Sequence, residues 1–391
     1  MKPTPKPKQR PLSQSFSSGP CAKRPGWTPG VLKSALVGRV HRARESKERL
    51  KLALDKTHQI LELPSDYRVA IVPGSDTGAF EMALWSMLGA CGVDVLAWDA
   101  FGKLWVQDIV WHLRIEDARV MEADYGRLPD LSAVDFERDV VFTWNGTTSG
   151  VRVPSGDWIR DDRRGLTIVD ATSAVFAQDI DWGKVDVATF SWQKVTGGEA
   201  AHGMIILSPR AVERLESYVP PWPLPKVFRL TKAYRLIEGL FEGETINTPS
   251  MLCVEDYLDA LCWAEGIGGL AALQARADAN AAVIFDWIDR SPWIANLAVD
   301  PATRSNTSVC LRIDHPAVTS DGVATEAQVS KHITALLDEE SVAKDIGAYR
   351  AAPPGLRIWC GSTVERSDLE RLTPWIDWAF THAFTALNKT A

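Results

Sequence analysis

Between residues 67 and 208 the chain alternates short β-rich apolar runs with stretches of helical periodicity, and this alternation restricts the fold more than any other feature. The run 68–72 is closed by Pro73-Gly74. Phe80, Leu84, Met87 and Leu88 then fall at i, i+4, i+7 and i+8, the spacing of one helix face. Residues 93–98 predict a second strand, followed by a helical pattern to about Arg114. Further strands are predicted at 140–144, 166–169, 185–190 and 204–207. These runs are apolar almost throughout, as strands covered on both faces are. Repeated βα units of this kind imply an α/β domain built on a mostly parallel sheet.

Past about residue 250 the pattern changes. Residues 251–288 are rich in Ala and Leu and predict helix, broken where Gly266, Gly268 and Gly269 cluster. Strands are predicted at 308–313 and 356–360, and helices at 325–337 and 367–387. The organisation expected is a disordered, basic, proline-rich tail over 1–15, a large domain over 16–260 and a smaller α+β domain over 261–391. A chain of 391 residues with 46% apolar residues buries a substantial core without staples. The net charge of −7 argues against a nucleic-acid binder. No run approaches the roughly 20 apolar residues that span a bilayer. The first residues carry no apolar segment of a secretion signal. Six cysteines lack CxxC spacing, so neither a zinc site nor a redox pair is expected, and reduced thiols point to the cytoplasm.

Three places combine residue types that can carry chemistry. Gly74-Ser75-Asp76-Thr77-Gly78 follows a strand and opens a helix, where backbone N–H groups suit a phosphate; the same residues are also ordinary helix caps. Asp170 ends an apolar strand, at the edge where open α/β sheets bind ligands, though an acid there often only caps a turn. Lys194 follows a buried-looking strand and precedes Gly197-Gly198. Taken alone it is a loop lysine; desolvated beside positive charge, it becomes a nucleophile. Phosphate turn, strand-end acid and strand-end lysine, in that order, are the parts a pyridoxal enzyme needs.

From about Phe16 onward the sequence resembles phosphoserine aminotransferases, in the class V group of fold-type I pyridoxal enzymes. The resemblance rests on Phe16-Ser17-Ser18-Gly19-Pro20, Val40-His41-Arg42, Asp170, Gln193-Lys194, Ile246-Asn247-Thr248-Pro249 and Arg357. It implies the aspartate aminotransferase fold, with a large seven-stranded, mostly parallel sheet flanked by helices and a smaller α+β domain. It implies pyridoxal 5′-phosphate as cofactor. Lys194 would hold it as a Schiff base and shuttle the Cα proton, and Asp170 would keep its ring nitrogen protonated. Asp76, Thr77 and Gln193 would hold its phosphate, Thr147 would touch the ring, and Phe101 would stack on it, with Trp105 the rival for that place. Asn247 and Thr248 would reach the cofactor phosphate of a partner subunit, which makes a homodimer with shared active sites. His41, Arg42 and Arg357 would bind the anionic groups of glutamate, 3-phosphohydroxypyruvate and phosphoserine. Planar guanidinium groups suit bidentate carboxylate and phosphate. Serine biosynthesis is the role implied, with a four-carbon phosphorylated homologue in pyridoxine synthesis as a further substrate.

Two departures from the family pattern stand out. Its phosphate turn often carries Gly-Arg-Gly where this chain has Asp76-Thr77-Gly78, and Lys23 and Arg24 add basic residues after Pro20. The alternatives are a serine–glyoxylate or alanine–glyoxylate aminotransferase, which needs no distal anion site, and a non-catalytic protein that keeps the fold. Gln193 before Lys194, where a cysteine desulfurase has His, argues against that relative. The charge run of Arg44, Lys47 and Arg49 reads as a solvated helix face.

Overall fold

The computed structural model describes residues 4–318 and 324–389. Seven strands form the main sheet: β1 (Arg68–Pro73), β2 (Val93–Ala97), β3 (Ala118–Glu122), β4 (Asp139–Thr143), β5 (Thr167–Asp170), β6 (Val187–Ser191) and β7 (His202–Leu207). Their order across the sheet is β1-β7-β6-β5-β4-β2-β3. The pairs β2–β3, β2–β4, β4–β5 and β5–β6 are parallel, and β7 runs antiparallel to both β1 and β6. The carboxyl ends of the six co-directional strands therefore share one edge. Six of the strands match the apolar runs in the sequence to within two residues. The edge strand β3 does not, because its side chains are largely exposed and it carries no apolar run.

Helix α1 (Arg44–Ile60) was legible only as a charge run. It buries Leu50, Ala53, Leu54, Thr57 and Ile60. Arg49 is not simply solvated: it makes a two-pronged bond to Glu255, which is buried on a later helix. Helices α2 (Ser75–Met87), α3 (Ala100–Gln107) and α4 (Pro209–Ser217) follow strands of the sheet. The Ala-rich stretch is two helices, α5 (Met251–Gly266) and α6 (Gly269–Arg290), parted at the expected glycines, of which Gly268 and Gly269 have left-handed φ of +115° and +71°. A second antiparallel sheet, β8 (Ile294–Asn296), β9 (Ser308–Ile313) and β10 (Leu356–Trp359), packs with α7 (Glu326–Glu339) and α8 (Arg366–Lys389).

The stretch expected as a disordered tail is ordered over its described part, 4–15; residues 1–3 lie outside the described residues, as do 319–323 and 390–391. Both oxygens of Asp368, in the first turn of α8, accept backbone N–H groups from Leu12 and Ser13 at 2.7 and 3.2 Å. The Gln9 carbonyl accepts from the Trp375 indole at 2.8 Å, and the Gln14 carbonyl from the Lys344 N–H at 2.9 Å. Proline-rich composition excludes a helix but not an extended strap, and the groups that pin it lie at the far end of the sequence.

The junction of β1 and α2 depends on close backbone approach. Gly74 caps α2 at φ +88°, and a Cβ on Gly78 would lie 2.3 Å from the Pro73 carbonyl oxygen. Forcing a methyl group there shifts backbone rather than a side chain. Gly78→Ala is expected to lower stability by about 2 kcal/mol, read as a drop in the urea midpoint without a change in its slope.

Candidate active site

Beyond the carboxyl edge of the parallel strands lies a cavity of about 280 Å³. Strand ends supply most of its wall. Asp170 is the last residue of β5 and Thr143 of β4; Asn145 and Thr147 follow β4, and Gln193 and Lys194 follow β6. The first turn of α2 supplies Ser75, Asp76 and Thr77, and α3 supplies Phe101 and Trp105. The edge of an open α/β sheet is where such a cleft is expected.

Lys194 is buried at 8% exposure. Its Nζ donates to the Ser18 carbonyl and sits 5.9 Å from the centre of the Trp359 ring. A Cβ on Gly19 would come within 2.8 Å of that nitrogen, so the Phe16–Pro20 stretch closes over the amine only because residue 19 has no side chain. Burial holds the Lys194 ammonium below the usual lysine range; Arg357 adds to the effect, while Cys21, Asp170 and Asp99 oppose it. A buried amine of this kind is available as a nucleophile nearer neutral pH.

Asp170 is held at both oxygens. Oδ1 accepts from the Thr172 N–H at 3.0 Å and Oδ2 from the Trp105 indole at 3.2 Å. Trp105 is itself fixed against Phe80, with ring centres 4.6 Å apart. Phe101 sits half-buried in the same wall, 5.6 Å from Tyr349. Thr147 is tied to Ser173 at 2.8 Å, and its carbonyl accepts from Ser308 of β9 at 2.6 Å.

Several buried polar atoms in this wall lack a partner: Thr143 Oγ1, Thr172 Oγ1, Gln193 Oε1 and Asp76 Oδ1. Buried polar groups are normally paired, so such a cluster marks the place of a polar ligand. Gly74 caps α2 through no side chain, which leaves the first-turn N–H groups of Asp76 and Thr77 without a partner among the described residues. These donors at a helix start suit a phosphate dianion. Amine, strand-end carboxylate and helix-start donors around one cavity fit pyridoxal 5′-phosphate.

The expected site residues divide into two groups. Asp76, Thr77, Phe101, Thr147, Asp170, Gln193 and Lys194 line the cavity. Arg357 stands just behind it on β10, near enough to act on Lys194, with its guanidinium 5.7 Å from the Tyr349 ring. Asn247 and Thr248 are not brought to it within this chain: both are exposed, and Asn247 bonds only to the neighbouring Thr248 carbonyl, at 3.3 Å. His41 and Arg42 lie in the turn before α1, and Arg42 lines an open surface groove with Lys47 and Asp55. One reading changes outright. The Asp76 carboxyl is not a phosphate contact, since it turns towards Asp170, Thr172 and Thr189, and burial and then Asp170 push it well above the usual carboxylate range. Only its backbone N–H can serve an anion. The added basic residues are structural: Lys23 pairs with Asp256, and Arg24 grips Asp259 with two bonds of 2.7 Å.

Against known proteins, no family model matches the chain. It is 57% identical over 375 residues to the phosphoserine aminotransferase of Methanosarcina mazei, covering 96% of this chain and 99% of the relative. The chain belongs to the phosphoserine aminotransferase family. Among solved structures, a phosphoserine aminotransferase from Cytophaga hutchinsonii superposes with a TM-score of 0.80 at 21% identity, over 94% of this chain and 99% of that one. The phosphoserine aminotransferase of Trichomonas vaginalis, solved with PLP bound, superposes at 0.74 and 18% identity, over 93% and 99%. These likenesses show the aminotransferase fold, with its seven-stranded, mostly parallel sheet. Within that family fold, sequence reasoning passed over Asp99, Thr143, Asn145 and Thr172 in the wall of the site. Asp99 caps α3, accepting from the Gly102 N–H at 2.8 Å and from Thr148, and so sets the pitch of Phe101 and Trp105. Strand-end position was the one signal these residues carried.

Proposed function

We propose that this chain transfers an amino group reversibly between glutamate and 3-phosphohydroxypyruvate, yielding O-phosphoserine and 2-oxoglutarate, with pyridoxal 5′-phosphate on Lys194. The observation that carries the reading is a desolvated lysine facing a strand-end carboxylate across one cavity, in a chain with a near-full-length relative of that name. When bound, the cofactor supplies an electron sink for the α-carbon of the amino acid. Lys194 Nζ would hold the cofactor and, freed by the substrate amine, would serve as the base that takes up the substrate's α-proton and gives it back. Asp170, aimed by Trp105 and Thr172, would face the ring nitrogen. The first-turn N–H groups of α2 and Gln193 hold the phosphate, and Arg357 takes the substrate α-carboxylate.

His41, Arg42, Asn247 and Thr248 serve a second subunit's site in this reading. The exposure of Arg42, Asn247 and Thr248, and that of the apolar Leu104 and Trp111, supports a homodimer. The cytoplasm is the compartment proposed. A titration with phosphoserine alone tests the reaction: each equivalent should bleach the bound-cofactor absorbance and release 3-phosphohydroxypyruvate. Equal conversion by serine or alanine would replace the reading with a glyoxylate-type aminotransferase.

The distal anion site gives a separate test. Arg42→Ala is expected to raise KM for phosphoserine by about tenfold or more, the worth of one charged hydrogen bond. Affinity for pyridoxal phosphate should stay within about twofold. An unchanged KM removes Arg42 from the site.

A further inference from the structure

In the turn where the family often carries Gly-Arg-Gly, Asp76 stands at the place of the first glycine, and nothing in the phosphate-binding role explains a carboxyl there. Both Asp76 and Asp170 are buried, at 7% and 8% exposure, and both line the cavity. Neither is in an ion pair among the described residues, and the Lys194 amine across the cavity bonds to the Ser18 carbonyl. Two carboxylates buried side by side cannot both be charged, so one keeps a proton. The two are not equivalent. Asp170 accepts from the Thr172 N–H and the Trp105 indole, groups that can only donate and so favour its charged form, whereas Asp76 faces the Thr172 and Thr189 hydroxyls, which can also accept, and its buried Oδ1 has no hydrogen-bond donor. The shared proton therefore belongs to Asp76, in keeping with its upward shift by burial and by Asp170.

We propose that Asp76 is a positioning residue: a neutral acid that donates its hydrogen bond to Asp170 and holds that carboxylate, as a single negative charge, towards the cofactor's ring nitrogen. Its role runs through Asp170, which would otherwise be pinned from Trp105 and Thr172 alone. The same placement explains why the anion-binding work at the start of α2 falls to backbone N–H groups. A second negative charge in the first turn would repel the phosphate, and a protonated Asp76 does not. The inference rests on the cofactor reading given above.

The test uses the full chain loaded with pyridoxal phosphate and two substitutions at one position. Asparagine keeps the shape and a donor but cannot ionise; alanine removes the donor. Asp76→Asn should leave the cofactor dissociation constant within about threefold of the parent and preserve the pH titration of the bound-cofactor absorbance. Asp76→Ala should weaken cofactor binding by about tenfold or more, since a hydrogen bond to a charged group is lost, and should move the midpoint of that titration. In an Asp170→Ala background, Asp76→Ala should add no further loss, because the two residues act as one unit. The proposal is overturned if Asp76→Asn is as damaging as Asp76→Ala, which would make the charge itself the functional group. It is equally overturned if Asp76→Ala changes nothing, or if its effect is undiminished without Asp170. Failure of the cofactor reading looks different: the unaltered chain would then take up no pyridoxal phosphate.

Discussion

Lys194→Ala is expected to reduce turnover by about 10⁴-fold, the upper range for a residue that moves a proton in the rate-limiting step. It should do so without unfolding the protein. The side chain is buried among Ser18, Gly19 and Trp359, and its amine is held below the usual lysine range chiefly by desolvation. A lysine whose folded pKa is lowered binds its proton more weakly folded than unfolded. The unfolded chain therefore holds more protons in the window between the lowered value and the ordinary one near 10.4, and the parent gains stability as pH rises through it. The alanine variant lacks that term. Its thermal midpoint, measured without cofactor, should exceed the parent's most at low pH, and the gap should narrow as pH climbs. Borohydride treatment should fix pyridoxal phosphate covalently to the parent and not to the variant. Near-normal turnover in the variant, or covalent capture at another lysine, would remove Lys194 from its assigned place.

The sheet could be read from the sequence because strands buried on both faces are apolar throughout, and six such runs need no tertiary information. The edge strand β3 escaped because exposed edges carry no such run. Residues 4–15 escaped for another reason: composition reports what a segment cannot bury, while its order comes from Asp368 and Trp375, distant in sequence. At the site, Lys194 and Asp170 were legible from their positions at strand ends together with the family pattern. Asp76 was legible as a residue of the phosphate turn but not in its role. Which way a first-turn carboxyl points depends on what stands behind the helix, here Thr172, Thr189 and Asp170 from two strands or their ends. His41 and Asn247 show the complementary limit. Their motifs are plain, yet the single chain does not bring them to the cavity, and nothing in a motif says where in space its residues will stand.

Asp170→Asn separates the charge of that residue from its shape. The amide oxygen can keep one of the two bonds, to the Thr172 N–H or to the Trp105 indole, and the side chain keeps its volume in the cavity wall. What disappears is the single anion facing the ring nitrogen. Removing one partner of a buried opposite-charge pair costs roughly 3–5 kcal/mol, and here the charge matters most when electrons from the α-carbon reach the ring. Turnover should therefore fall on the order of 10³-fold, while KM for glutamate, set by guanidinium contacts to its carboxylates, changes little. Stability should change by no more than about 1 kcal/mol, because the loss of one of those bonds is offset by relieving Asp76 of its charged neighbour. If Asp170→Asn instead left turnover intact and raised KM, the acid would be a cap on the turn after β5, the structural role that its sequence position alone had allowed.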